Sequence, residues 1–283
     1  MYGSGFQPPA GYDEIEVRAS DGVVLRANAF EPPDGVEPRA SVVLAHAMFA
    51  RRSSLRGLAR ALAADGWRAV TFDFRGHGDS TPSRTYRYDD LVAVDLPAVV
   101  ECVRARAEHP VVVLGHSLGA HVAVAAQGTG RTSADAIVML GGNVWLRALE
   151  PSAARWAAKR ALARATLEVA DRAGVFPARA LRLGTDDASA PYLHDLLRGV
   201  TSGTWASARG DDYLAAAVDV KVPVAAVVGA RDRIMCHPAC GERFARRCGG
   251  PVSVFTAPCG HMALRHEHAL ARAALAWVLQ ARG

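Results

Sequence analysis

Pro110-Val111-Val112-Val113-Leu114 runs directly into Gly115-His116-Ser117-Leu118-Gly119. The first stretch is a continuous apolar strand. The second is a Gly-x-Ser-x-Gly turn, and the Ala-rich segment Leu118 to Ala126 behind it reads as helix. A serine on a sharp strand-to-helix turn has the setting of a nucleophile elbow. Gly115 and Gly119 permit the tight turn and the close approach of neighbouring backbone that such a corner needs.

Outward from this corner the chain alternates strand and helix. Glu14 to Ala19 and Val24 to Phe30 read as strands around an Asp21-Gly22 turn, and Ser41 to His46 as a fully apolar strand. Ser54 to Asp65 is an amphipathic helix stopped by Gly66, and Trp67 to Phe72 is a further strand. The helix Asp89 to Ala107 is expected to bend at Pro97. Ala136 to Leu140 adds a strand ending at Gly141-Gly142. The alternation then stops. Asn143 to Asp219 holds helical pieces, clearest over Ala153 to Ala173, but no convincing core strand. It resumes with the strand Val222 to Val228, a helix near Pro238 to Arg247, the strand Val252 to Thr256 and a helix from Arg265 to Gln280. This pattern predicts an α/β fold with a mainly parallel sheet and helices on both faces. It divides the chain into a first core part (1–141), a helical cap insertion (142–219) and a second core part (220–283).

Composition bounds the partners. Of the 283 residues half are apolar and 22% charged, as in ordinary globular domains. The net charge of +5 is carried mostly by arginine, but Arg51-Arg52 and Arg246-Arg247 are only pairs, so no nucleic-acid track is expected. Met1 to Tyr12 has no leader pattern and no run reaches membrane-span length, which makes a cytoplasmic protein the expectation. Cys102, Cys236, Cys240, Cys248 and Cys259 are odd in number and clustered late, so they read as buried or half-buried thiols rather than a disulfide scaffold. Cys236-His237-Pro238-Ala239-Cys240 lacks the close pair of a structural zinc site, and no metal or cofactor is expected.

A serine hydroxyl is a poor nucleophile near neutral pH and needs a base with an orienting partner. His261, in Pro258-Cys259-Gly260-His261-Met262 after a strand, suits the base. Asp232, in Gly229-Ala230-Arg231-Asp232-Arg233 after another, suits the partner that fixes the imidazole tautomer. Both face a bland reading, as a surface histidine and a solvated aspartate. Oxyanion donors are expected from the backbone N–H of Leu118 and from the loop after Ser41 to His46, where Met48 is preferred and Phe49 adjoins it.

With these residues in place the chain resembles the α/β-hydrolase superfamily, in its esterase, lipase and serine-aminopeptidase-like group. Four motifs carry the resemblance over nearly the full length: His46-Ala47-Met48, Asp73-Phe74-Arg75-Gly76-His77-Gly78-Asp79-Ser80, Gly115-His116-Ser117-Leu118-Gly119, and the Asp232 and His261 loops. The resemblance implies that His46 shapes the oxyanion loop and that Asp73 to Ser80 is structural. The family carries glycine at position 47. Ala47 disfavours positive φ, so a loop needing that conformation there is strained or reshaped. His116 and Trp145 complete the expected surroundings of the pocket. The implied activity is a carboxylesterase-like hydrolase for small or medium acyl esters. Amide hydrolysis, acyl transfer and a non-catalytic binding role are the alternatives. The expected partner is a small acyl compound. The cap leaves room for a homo-oligomer. Trp145, Trp156, Tyr192, Trp205 and Tyr213, with Leu146, Leu149 and Phe176, either line an acyl pocket or pack the cap.

Overall fold

The computed structural model describes residues 11–282. The expectation made for Met1 to Tyr12 falls largely outside the described residues. Eight strands form one sheet: β1 (Asp13–Arg18), β2 (Val24–Phe30), β3 (Ser41–Ala45), β4 (Arg68–Phe72), β5 (Val111–His116), β6 (Ala136–Leu140), β9 (Val224–Gly229) and β10 (Val252–Ala257). The short β7 (Val175–Phe176) and β8 (Ala188–Ser189) pair only with each other. The order across the sheet is β1-β2-β4-β3-β5-β6-β9-β10. β2 runs antiparallel to both its neighbours, β1 and β4, and all the other pairs are parallel. β3, β5, β6 and β9 are buried along their whole length, so the uninterrupted apolar runs seen in the sequence fit a sheet covered on both faces.

Ten α-helices complete the described residues: α1 (Arg56–Ala64), α2 (Tyr88–Asp90), α3 (Leu96–Arg104), α4 (Leu118–Gly128), α5 (Ala153–Ala173), α6 (Ala190–Leu196), α7 (Arg198–Thr201), α8 (Tyr213–Ala216), α9 (Pro238–Ala245) and α10 (His268–Gln280). Alternate strand residues feed two cores. Val42, Leu44, Val112 and Val138 pack with Leu58 and Leu62 of α1 and Leu275 and Val278 of α10. Val43, Val113, Ile137 and Met139 face the other way, onto α3, α4 and α9. The second core continues into Leu146, Leu167, Tyr192, Trp205 and Tyr213, so the 142–219 segment packs on this face without adding a strand to the main sheet. The bend expected at Pro97 is a π-helical stretch, Leu91–Asp95, followed by α3 with Pro97 in its first turn. The helix is continuous from Tyr88 to Arg104, and the wider π turn just before Pro97 is where its hydrogen-bond ladder adjusts to a residue without an N–H. No described helix is long and apolar enough to cross a membrane.

Candidate active site

The C-terminal ends of five parallel strands meet at one rim, where open α/β sheets bind ligands. β5 ends at Ser117, whose backbone sits at φ 53°, ψ −108°, in a region that non-glycine residues rarely occupy. The flanking glycines are required by crowding. A Cβ on Gly115 would lie 2.2 Å from the Ala120 nitrogen, and one on Gly119 2.3 Å from the Ala45 oxygen. With no side chain at either position, α4 can pack against β3 and β5.

Ser117 Oγ lies 2.9 Å from His261 Nε2, and His261 Nδ1 lies 2.6 Å from Asp232 Oδ2. Thus Nδ1–H donates to the carboxylate, which leaves Nε2 to accept the serine proton. Burial opposes ionisation of Asp232, but His261 and the N–H groups of Cys236 and Ile234 outweigh it and hold the carboxyl below its ordinary value. Asp232 is only 4% exposed, which excludes the solvated-aspartate reading.

His46 and His116 do not line the pocket. Both are fully buried behind it. His46 Nδ1–H donates to the Ala47 carbonyl (2.9 Å) and Nε2 accepts the Phe74 N–H (3.2 Å), so the ring staples the oxyanion loop to the segment after β4. His116 Nε2–H donates to the His261 carbonyl (3.2 Å), fixing the backbone at His261. Burial, aided by His77 and His261 respectively, pushes both imidazoles down to about 3, which keeps them neutral.

Ala47, Met48 and Phe49 all border the cleft beside Ser117. The positive φ of this loop is at Phe49 (φ 61°), and Ala47 does not adopt it. The Phe49 ring stacks on Phe176 at 5.2 Å, and its carbonyl accepts the N–H groups of Thr185 (2.7 Å) and Asp186 (3.2 Å). Asp186 in turn takes a forked pair of bonds from Arg51 (2.9 and 2.8 Å) and the Gly78 N–H. Asp73 grips the following residue through the Arg52 N–H (2.6 Å) and guanidinium. The Asp73 to Ser80 loop therefore braces the loop after β3. Among the described residues no protein acceptor takes the N–H of Met48 or Leu118.

The cleft has two compartments. The inner one, about 60 Å³, is lined by Leu118, His121, Asn143, Val144 and Leu196. The outer one, about 330 Å³, is lined by Phe49, Leu162, Phe176, Leu183, His261 and Met262. Met48, Ser117, Trp145, Leu197 and Met235 border both. Of the aromatic residues considered for a pocket, only Trp145 and Phe176 line it. Tyr192, Trp205, Tyr213, Leu146 and Leu149 pack the core instead. Met235 was not foreseen: its carbonyl accepts Trp145 Nε1–H (3.1 Å) and Asn143 Nδ2–H (3.3 Å), tying the segment after β6 to the Asp232 loop. Asn143 follows the end of a parallel strand, which was the available signal for it. Nothing in the sequence marked Met235, His121, Leu197 or the Thr185-Asp186 clamp.

Comparison with known proteins agrees with this architecture. The family model described as serine aminopeptidase, S33, matches residues 36–260. No curated protein matches the chain. An esterase from Exiguobacterium antarcticum superposes with a TM-score of 0.65 at 19% identity, covering 94% of this chain and 100% of that one. An esterase from Pyrococcus furiosus gives 0.66 at 18%, covering 99% and 95%. An E-2-(acetamidomethylene)succinate hydrolase gives 0.63 at 18%, covering 95% and 100%. At such identities the likeness is one of fold. The family match and the geometry agree: the chain belongs to the serine aminopeptidase S33 family and is a serine hydrolase of the α/β-hydrolase fold.

Proposed function

We propose that the protein hydrolyses carboxylic esters of uncharged, largely apolar compounds through an acyl-enzyme on Ser117. The observation that carries this reading is the hydrogen-bonded chain Ser117–His261–Asp232 opening onto a cleft whose lining contains no aspartate or glutamate. An aminopeptidase has to hold a substrate ammonium, and a carboxylate near the acyl side would be its natural partner. The lack of one among the lining residues favours a neutral ester over a peptide amine.

Ser117 Oγ attacks the ester carbonyl while its proton passes to His261 Nε2. Asp232 stabilises the imidazolium so formed. The N–H groups of Leu118 and Met48, both free of protein acceptors, are the donors for the oxyanion. The carbonyl–alkoxy bond breaks, and the alcohol leaves with the proton from Nε2. Water then attacks the acyl carbon, gives its proton to His261, and the acid departs as Ser117 recovers its own. Residues 142–219 serve as a cap that supplies the apolar walls of the cleft.

The test is turnover of short aryl esters together with covalent labelling by a fluorophosphonate. Ser117→Ala should abolish labelling and lower kcat by roughly 10³-fold or more. A folded protein that resists the label and leaves aryl esters intact overturns the reading.

A further inference from the structure

The two compartments differ in which catalytic group they meet. His261, which must hand its proton to the departing alcohol, lines the outer compartment together with Met262 and is absent from the lining of the inner one. Leu118, whose N–H follows the nucleophile, lines the inner compartment only. An ester carbonyl seated over Ser117 with its oxygen toward Leu118 and Met48 has its alkoxy oxygen on the His261 side. Its acyl chain then points into the inner compartment.

The volumes now assign the sizes. The inner space, about 60 Å³, is several times smaller than the outer, about 330 Å³. The inner walls are also partly polar. His121 is held by Tyr88, with 2.9 Å between the hydroxyl and Nδ1, and the Asn143 Oδ1 is buried without a protein partner. A long alkyl chain there would cover polar atoms without replacing their hydrogen bonds, which is unfavourable. The outer walls are apolar, and Leu162, Leu183 and Met262 remain exposed at its mouth. An apolar chain too long for the compartment thus has an apolar rim to run along.

Building on the ester reading, we infer that the natural substrates join a short acyl group to a bulkier apolar alcohol. The protein would then be selective for the size of the leaving group and restrictive toward the acid. This is the reverse of an enzyme built for fatty-acyl chains.

Octyl acetate and ethyl octanoate are isomers with the same apolar content and opposite placement of the long chain. The unmodified protein should hydrolyse octyl acetate with kcat/KM about tenfold or more above that for ethyl octanoate. Leu196→Ala, which removes a wall of the inner compartment alone, should narrow that ratio by raising activity on longer acyl chains. Fluorophosphonate labelling and p-nitrophenyl acetate turnover, run in parallel, report on the ester reading itself. If both are positive and ethyl octanoate is hydrolysed as well as or better than octyl acetate, the assignment of compartments is wrong while the ester reading stands. Hydrolysis of neither isomer by protein active on p-nitrophenyl acetate likewise overturns it. If labelling and turnover both fail, the two fall together.

Discussion

Phe49 carries the backbone strain of the oxyanion loop. A bulky residue in the left-handed region costs about 1–3 kcal/mol, and it persists only where its surroundings enforce it. Here they do so through the Phe176 stack and two N–H donors on its carbonyl. The sequence pointed to the right loop but the wrong residue, because Ala47 was judged against a family pattern while Phe49 has no local mark of positive φ. Ala47 lies outside the left-handed region, so restoring the family's glycine relieves nothing. Ala47→Gly is expected to lower stability by about 0.5–1 kcal/mol through unfolded-state entropy, without raising activity. A urea denaturation series and ester turnover check this; a more stable or faster variant would show that the loop is strained at 47 after all. Ser117, Asp232 and His261 were legible for a different reason. Each follows a recognisable strand, and their chain order suits the fold.

Helix α5 shows what patterning can and cannot give at the scale of an element. Its limits, Ala153–Ala173, follow from composition, with Ser152 accepting the Arg155 N–H at one end and Gly174 in the left-handed conformation at the other. What it carries inward was invisible. Lys159 looks like one more surface cation in a basic helix, yet it is 1% exposed, bonds Glu150 at 2.9 Å and sits 5.7 Å from the centre of the Trp145 ring. Glu150 also accepts from Arg155, the Ser152 N–H and the Cys240 thiol. Burial alone would raise its pKa, but these partners bring it down to about 2. Removing Lys159 takes away the more buried of the two cations on Glu150 and leaves Arg155 as its ion pair. Lys159→Met should therefore lower stability by about 1–3 kcal/mol, the worth of a buried charge-assisted hydrogen bond, and the double variant with Glu150→Leu should show a non-additive loss. Equilibrium unfolding of Lys159→Met, Glu150→Leu and the double variant decides it. An unchanged single variant would mean that the pair is not closed in solution.

For the whole molecule, the parallel sheet and the helices covering it were readable from the strand–helix rhythm. The strand order and the packing of the cap were not, since both depend on contacts far apart in sequence. The same is true of three histidines scattered through the chain that become buried together. Burial holds His46, His116 and His121 neutral down to about pH 3, against about 6.5 for an exposed imidazole. The unfolded chain takes up protons below 6.5 that the native state refuses. Their contribution is thus fully present above that value and is lost as the pH falls toward 3. Asp95, lifted to about 6 by burial against the pull of Arg75, binds its proton earlier when folded and offsets one of the three. At about 1.4 kcal/mol per proton per pH unit, stability should fall by more than about 1 kcal/mol per unit near pH 5. Denaturation midpoints measured from pH 7.5 to 4.5 test the slope; a flat profile would contradict the burial of these rings.

The bonds from Thr185 and Asp186 to the Phe49 carbonyl tie the 142–219 segment to the loop after β3. They work as an interlock. On the ester reading proposed above, the wall that selects what enters also keeps the oxyanion donors in register, so lifting it disarms the chemistry. A cap exchanged for one of another shape, to admit another alcohol, inherits that duty with the position. Unless the replacement brings its own grip on residue 49, it trades away the reaction along with the selectivity.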